Sequence, residues 1–400
     1  MKWRQIAAVV LAVGCALFAF FATDMLESYS VENPRAASFA FLCGLALGVT
    51  MQRSRFCFYC HIREWFEEHN PRGALALLLA IAIGIVGYTI VVGGWLPNPT
   101  APSSLIHVGP ASEVVIAAGF VFGLGMIISG SCVAAHWYHF AGGSLYSLTA
   151  LIGVSIGFFL GFNSWNALYS YRLAEAPIVW LPAYLGYAGA MLLQLSVILL
   201  LALFLWRGFS RQSAAPAASV APLTIRGAWR RLWEAEWSYW IGGLLVGLIA
   251  IAAIIRVNPL GATAAIASWT RSIASGWGLI PDRLDGLDTF AGCGSLPQNS
   301  WLNADSLLLL GLVGGALIAS LASGKFAIEK ITPKEALAAL LGGVLLGWGA
   351  MTALGCTIGT LLSGTHAGAL SGWLFGVSML FAIWIGLKIK RAMSGVSATH

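Results

Sequence analysis

Long runs of apolar residues follow one another along almost the whole chain, separated by short polar connections. Most runs have about the 17 to 25 residues that an α-helix needs to cross the hydrocarbon core of a bilayer. No polar block is long enough to form a separate soluble domain. The pattern predicts an all-α polytopic membrane protein with ten spans, near residues 6–23, 36–52, 74–95, 112–130, 144–161, 183–206, 238–256, 306–323, 335–355 and 368–388.

Interruptions of this pattern predict shorter elements as well. The stretches 258–280 and 285–300 are apolar in places, and glycines such as Gly130 and Gly355 break other apolar runs. Broken helices survive at membrane depth only where protein buries them or where they line a cavity. We therefore expect short, loop-broken helices inside the protein in addition to the spans.

The composition supports a membrane protein. Hydrophobic residues make up 58% of the chain and charged residues only 10%, with a mean hydropathy of +0.82. An average soluble domain carries about 25% charged residues. The first apolar run is longer than the apolar region of a cleaved signal peptide, and no A-x-A site follows it, so we interpret it as a transmembrane anchor.

Lysine and arginine residues fall mainly on one side of the ten predicted spans. The positive-inside rule assigns that side to the cytoplasm, where we expect both chain termini. The net charge of +6 then reflects membrane topology, and we expect no nucleic-acid partner. The exceptions among the 22 basic residues are Arg35, Arg172, Arg256, Arg271 and Arg283.

A glycine pattern that ends in cysteine occurs twice. Gly-x3-Gly-x-Gly-x6-Cys spans 119–132, in the fourth predicted span, and 343–356, in the ninth. An offset of five spans reverses direction, so we expect two inverted repeats, an arrangement that places equivalent positions about an axis in the membrane plane. The predicted organisation is an N-terminal anchor and connection (1–35), a first membrane repeat (36–206), a cytoplasmic linker (207–237), a second membrane repeat (238–390) and a cytoplasmic tail (391–400).

The glycines spaced by four residues have a simple interpretation, because small residues at this spacing let membrane helices pack closely. The residues around the two cysteines differ, since they are small and polar where a span interior normally has Leu or Ile. A backbone that opens here would direct the N–H groups of a following half-helix at an anion. The residues of this predicted anion site are Gly130, Ser131 and Cys132 in the first copy, and Gly355, Cys356, Thr357 and Gly359 in the second.

The other cysteines suggest less. Cys15 and Cys43 lie in aliphatic runs and are expected to act as small apolar residues. Cys57 and Cys60 form C-x2-C, a spacing used in redox exchange and metal binding, but no second pair completes a zinc site. Cys293 lies in a loop on the opposite side. An alternative function is therefore a membrane thiol oxidoreductase or sulfurtransferase that cycles Cys57, Cys60 and Cys293 through disulfides.

Catalytic and metal-dependent functions have weaker support. His136 and His139 follow Cys132 at helical spacing, so a Cys–His nucleophile is conceivable. No carboxylate orients either histidine, and the second copy offers only His366, so we expect structural or hydrogen-bonding roles for them. A cation channel or metal carrier is disfavoured because carboxylates within spans and clustered histidines are missing. We predict neither a metal site nor a cofactor.

Three ordered motifs resemble a known family. The motifs are Gln52-Arg53-Ser54-Arg55-Phe56-Cys57, then Gly123-x-Gly125-x4-Gly130-Ser131-Cys132 followed by Trp137-Tyr138, and Gly347-x-Gly349-x5-Gly355-Cys356-x-Ile358-Gly359. From about residue 39 to 388 the chain is similar to the YeeE/YedE family of bacterial inner-membrane sulfur transporters. It departs from that family at Val133-Ala134-Ala135-His136, where members commonly carry another glycine, and in having Cys60 and Cys293.

The resemblance implies an hourglass-like interior and uptake of thiosulfate, or of a related sulfur or selenium anion, across the inner membrane. It implies that Cys57, Cys132 and Cys356 pass the ion inward through weak S–H···S contacts. It also suggests a small cytosolic sulfur-carrier protein as a partner. Arg53 and Arg55 are candidates for collecting the anion at the cytoplasmic exit, and they are also typical positive-inside anchors.

Overall fold

The computed structural model describes residues 3–29, 31, 33–100, 107–209, 235–257, 259–287, 290 and 301–393. These residues form helices, with no β-strand among them. In chain order the helices are α1 (Trp3–Ser28), α2 (Pro34–Ser54), α3 (Phe58–Glu68), α4 (Arg72–Trp95), α5 (Glu113–Ser129), α6 (Val133–Ala141), α7 (Leu145–Leu168), a π-helical turn (Tyr169–Leu173), α8 (Leu181–Phe209), α9 (Tyr239–Arg256), α10 (Ala264–Gly276), α11 (Ala304–Ala322), α12 (Pro333–Thr352), a second π-helical turn (Thr357–Ser363), α13 (Gly364–Ala367) and α14 (Leu370–Met393).

Ten helical segments of the described chain are long and apolar enough to cross a membrane, which confirms the predicted number of spans. The largest shift of a single helix end concerns α7, which continues past residue 161 to Leu168. Its last turns contain polar residues whose side chains find partners within the protein. Asn163 donates to the carbonyl of Phe159 at 3.0 Å, and Asn166 donates to that of Arg283 at 2.8 Å. The helix therefore persists where the apolar pattern ends.

The expected short helices are present in the described residues. α3, α6 and the second π-helical turn follow breaks after long helices, α13 continues directly from that turn, and α10 lies within the stretch 258–280. Most of 285–300 lies outside the described residues, as do Cys293, most of the linker (residues 210–234) and the end of the tail.

Close packing between helices depends on glycine faces. A Cβ added to Gly44 or Gly48 of α2 would lie 2.0 Å from the carbonyl oxygen of Leu308 or Leu312 in α11. These two helices therefore touch backbone to backbone, which only a residue without a side chain allows.

The repeated glycine motifs have the same role. A Cβ on Gly343 or Gly347 would lie 2.1 Å from a carbonyl oxygen of α7, and one on Gly123 would lie 2.6 Å from the carbonyl oxygen of Met379 in α14. The packing interpretation of these glycines is thereby confirmed.

Side-chain caps fix the starts of several helices. Thr332 and Glu335 form a reciprocal capping box with Pro333 in the first turn of α12. Ser112 accepts from the Val115 amide at the start of α5, and Asn303 accepts from the Ser306 amide, at 2.8 Å, at the start of α11. The start of α5 and the start of α12 are thus well defined, and both helices end at a cysteine motif.

Candidate functional site

The three cysteines of the recognised motifs occupy the same local position. Cys57 is the N-cap residue of α3, Cys132 that of α6 and Cys356 that of the second π-helical turn. All three are fully buried, at 0% exposure, in one hydrophobic core. The first N–H groups of a helix have no partner within it and form its positive end. Each cysteine is therefore held next to backbone groups that favour an anion.

The chain reaches each cysteine through the same kind of break. Two residues before it stands a residue with left-handed backbone, namely Arg55 (φ 52°), Gly130 (φ 73°) or Leu354 (φ 62°). Only Gly130 adopts this conformation without a steric penalty, since a residue with Cβ loses roughly 1–2 kcal/mol there. Gly130 and Gly355 both lie in helix interruptions as predicted, and the left-handed residue of the third break is Leu354.

Gly355 is required for a different reason. A Cβ at this position would lie 2.6 Å from the Thr360 hydroxyl oxygen and 2.9 Å from its backbone nitrogen. The Thr360 amide donates to the carbonyl of Cys356 at 2.7 Å. The π-helical turn that contains Gly359 therefore folds back directly over Gly355.

The first two cysteine motifs meet. The sulfur atoms of Cys57 and Cys132 lie 3.8 Å apart, at S–H···S hydrogen-bond distance, and the Ser131 hydroxyl oxygen lies 3.6 Å from the Cys57 sulfur. The Cys57 sulfur also accepts from the Cys60 amide at 3.4 Å. Both thiols are free, so this cluster offers two weak S–H donors and a hydroxyl at one place.

The third motif carries buried hydroxyl groups. The Thr357 hydroxyl is buried without a hydrogen-bond partner in the described part of the protein, as is the hydroxyl of Thr352 at the end of α12. The π-helical turn is tied to the connection before α10 by a 3.0 Å hydrogen bond from Ser363 to the carbonyl of Leu260. The turn also contacts α6, the helix that Cys132 begins. The third motif thus adjoins the helix of the second motif.

The two arginines are placed differently from each other. Arg53 is 2% exposed and donates to the carbonyl of Ala235, while its own carbonyl accepts from the Trp237 amide at 3.0 Å. This burial within the protein does not fit a simple anchor at the lipid headgroups. Arg55 is largely exposed and pairs with Glu236, which Lys325 contacts at 2.6 Å. The hydrogen bond from Lys325 and the charge of Arg55 hold the pKa of the Glu236 carboxyl below its usual value.

Three histidines contact residues other than the thiols. His136 Nδ1 lies 3.2 Å from the Ser147 hydroxyl oxygen, and the His136 amide donates to the carbonyl of Cys132 at 3.0 Å. The His61 ring stacks edge-on against Tyr239, with centroids 4.7 Å apart. The His366 ring occupies the space beside Gly84 in α4, where an added Cβ would lie 2.0 Å from it. These contacts fit the expected structural and hydrogen-bonding roles.

Sequence reasoning missed three polar residues of this region. Thr352 is a single threonine in an apolar run, and its position four residues before Cys356 was the available signal. Glu236 and Lys325 lie in connections, where charged residues are ordinary. Only the folded structure brings these two side chains to Arg55.

Comparison with known proteins identifies the family to which the chain belongs. A family model described as "Sulphur transport" matches residues 53–385. The chain therefore belongs to this family of sulfur transporters, and the resemblance to YeeE/YedE proteins is confirmed.

Individual relatives carry more specific names. The thiosulfate transporter TsuA of Escherichia coli K12 is 29% identical over 368 residues, which cover 86% of this chain and 91% of TsuA. The thiosulfate transporter TsuA of Spirochaeta thermophila is 26% identical over 355 residues, which cover 86% and 96%. The probable transporter YedE of E. coli K12 matches over 85 residues, 21% of each chain, at 26% identity. These matches favour transport over the thiol oxidoreductase alternative.

Proposed function

We propose that the protein takes up a small sulfur-containing anion, most simply thiosulfate, through the bacterial inner membrane. The observation that carries this proposal is the placement of Cys57, Cys132 and Cys356, each buried at the start of a helix that follows a break. The names of the two TsuA relatives support thiosulfate as the cargo.

The chemistry of the site suits such an ion. A neutral thiol donates weakly to the soft terminal sulfur of thiosulfate, whereas a thiolate would repel a dianion, so transport requires the protonated thiols. The positive ends of the short helices compensate the charge of the ion at depth. Because every contact is weak, the ion can leave each thiol for the next, as conduction requires. The 3.8 Å separation of Cys57 and Cys132 permits a direct transfer between them.

We also propose that the two membrane repeats are inverted, as the repeated motifs predict. The helix packing supports this proposal, because replacing each helix by its equivalent in the other half turns one observed helix contact into another. α2 packs on α11 while α9 packs on α4, and α5 packs on α14 while α12 packs on α7. The same exchange relates the contact of α6 with α11 to that of α13 with α4. In this arrangement both termini are cytoplasmic, and Arg53 and Arg55 lie at the exit, where a small sulfur-carrier protein would accept the sulfur.

Uptake by cells tests the proposal. The chain is expressed in bacteria that lack their own thiosulfate and sulfate importers, and growth and labelled uptake are measured with thiosulfate as the sole sulfur source. We expect rescue by the parent protein and none by Cys132→Ala or Cys356→Ala at equal membrane levels. Cys43→Ala is the matched control, since Cys43 is also buried but lies inside α2. Full uptake by both site variants would refute the cysteine mechanism, and no rescue by well-expressed parent protein would refute thiosulfate as the cargo.

A further inference from the structure

A single carboxylate oxygen contacts two cationic side chains beside the first cysteine motif. Glu236 Oε1 contacts both the Arg55 guanidinium and the Lys325 ammonium, the latter at 2.6 Å. Arg55 lies two residues before Cys57. The three side chains come from separate parts of the chain, namely the break after α2, the segment before α9 and the connection after α11.

The backbone holds this carboxylate in place. Ala235 accepts a hydrogen bond from the buried Arg53 side chain, and the Trp237 amide donates to the Arg53 carbonyl at 3.0 Å. These bonds flank Glu236 on both sides, so the segment 235–237 lies against the end of α2. The Glu236 side chain is thereby directed at Arg55.

The lysine is tied to the second cysteine motif. The connection that follows Lys325 bonds to the end of α6, with the Ala327 amide donating to the carbonyl of Gly142 at 3.1 Å. α6 is the helix that begins at Cys132. Arg55 therefore lies in the break that leads to Cys57, and Lys325 lies next to a connection that bonds to the helix of Cys132.

We propose that Arg55 and Lys325 form a binding site for the transported divalent anion as it leaves Cys57, and that Glu236 is a tethered competitor that occupies this site in the resting protein. This inference rests on the proposed function. Without the carboxylate, the two cations match the charge of a dianion such as thiosulfate. With the carboxylate in place, both cations are already paired and only one net positive charge remains, so a dianion is held more weakly.

The exposure of the three side chains fits a displaceable competitor. Arg55 is 61% exposed, and Glu236 and Lys325 are 45% and 43% exposed. Exposed ion pairs are weak because water competes with them. An arriving dianion can therefore take the place of Glu236, and the carboxylate returns when the ion has left.

Equilibrium binding of labelled thiosulfate to the purified full-length protein in detergent tests the site. Removing the competitor in Glu236→Gln should tighten binding by about three- to fivefold, the effect of one weak exposed ion pair. The additional change Lys325→Gln should abolish this gain. Glu67→Gln is the matched control, because it breaks another exposed pair, with Arg63 at 3.7 Å, outside the proposed site.

The outcomes separate this inference from the proposed function. Equal affinities for the parent, Glu236→Gln and Glu67→Gln would overturn the competitor, even if cells take up thiosulfate. A gain in Glu236→Gln that persists with Lys325→Gln would overturn the assignment of the site. A gain that depends on Lys325 would support the site, even if the parent protein fails to rescue growth on thiosulfate.

Discussion

Gly84→Ala tests the position of the segment that follows Cys356. The added methyl group would lie 2.0 Å from both Cε1 and Nε2 of His366 and 2.4 Å from Cδ2. Non-bonded carbon atoms prefer separations of about 3.5–4.0 Å, so the ring would have to move by roughly 1.5–2 Å. His366 is only 6% exposed and follows the π-helical turn directly, so this displacement must pass to the third cysteine motif.

The expected cost follows from overpacking of a buried site, which is typically about 1–3 kcal/mol. We expect a lower midpoint of thermal unfolding in detergent and a loss of thiosulfate uptake at unchanged membrane levels. The double variant Gly84→Ala/His366→Ala should recover much of the stability, because it removes the ring that clashes.

Gly94→Ala in the same helix is the matched control. Nothing lies within 4 Å of a Cβ added there, so this change should be neutral, or stabilising by up to about 1 kcal/mol through helix propensity. If Gly84→Ala behaves like Gly94→Ala in both assays, the placement of His366 against α4 is wrong.

Three further predictions concern single positions. Thr357→Val should weaken uptake while leaving the stability of the protein unchanged or about 1 kcal/mol higher, because the buried Thr357 hydroxyl has no partner among the described residues. Thr365→Val is the control and should destabilise the protein, because it loses a 2.6 Å hydrogen bond to the carbonyl of Leu361. Gly130→Val should destabilise by roughly 1–2 kcal/mol through left-handed strain, and Gly130→Asn by less; equal unfolding midpoints would contradict that conformation. The pKa of Glu236 is lowered in the folded protein, so its ion pairs stabilise the fold fully above the pKa of an unfolded glutamate. This stabilisation is lost as the pH falls through the lowered pKa. Thermal unfolding scans should therefore show a loss of stability at acid pH that Glu236→Gln lacks.

The spans could be predicted from the sequence because the bilayer imposes a length and a hydropathy on each crossing helix. Gly130 was also visible as a break, since glycine is the residue that adopts a left-handed backbone without strain. Arg55 and Leu354 adopt the same backbone for reasons that lie in the surrounding structure. Hence the common form of the three breaks could not be derived from residue types.

Contacts between distant motifs could not be predicted from the sequence either. Nothing in the apolar pattern indicates that Cys57 and Cys132 approach to 3.8 Å, because this distance depends on how α3 and α6 meet. The pairing of Glu236 with Arg55 and Lys325 likewise depends on where three connections end. The family motifs identified the cysteines as candidate site residues, and the fold shows which residues contact them.

The backbone contact between α2 and α11 has a consequence for biosynthesis. Gly44 and Gly48 in α2 lie against Leu308 and Leu312, which the ribosome adds only after more than half of the chain has been made. Until then the small-residue face of α2 has only lipid or transient neighbours. The first half therefore cannot reach its final packing on its own. Chains truncated before α11 should accordingly be recognised as unassembled and degraded.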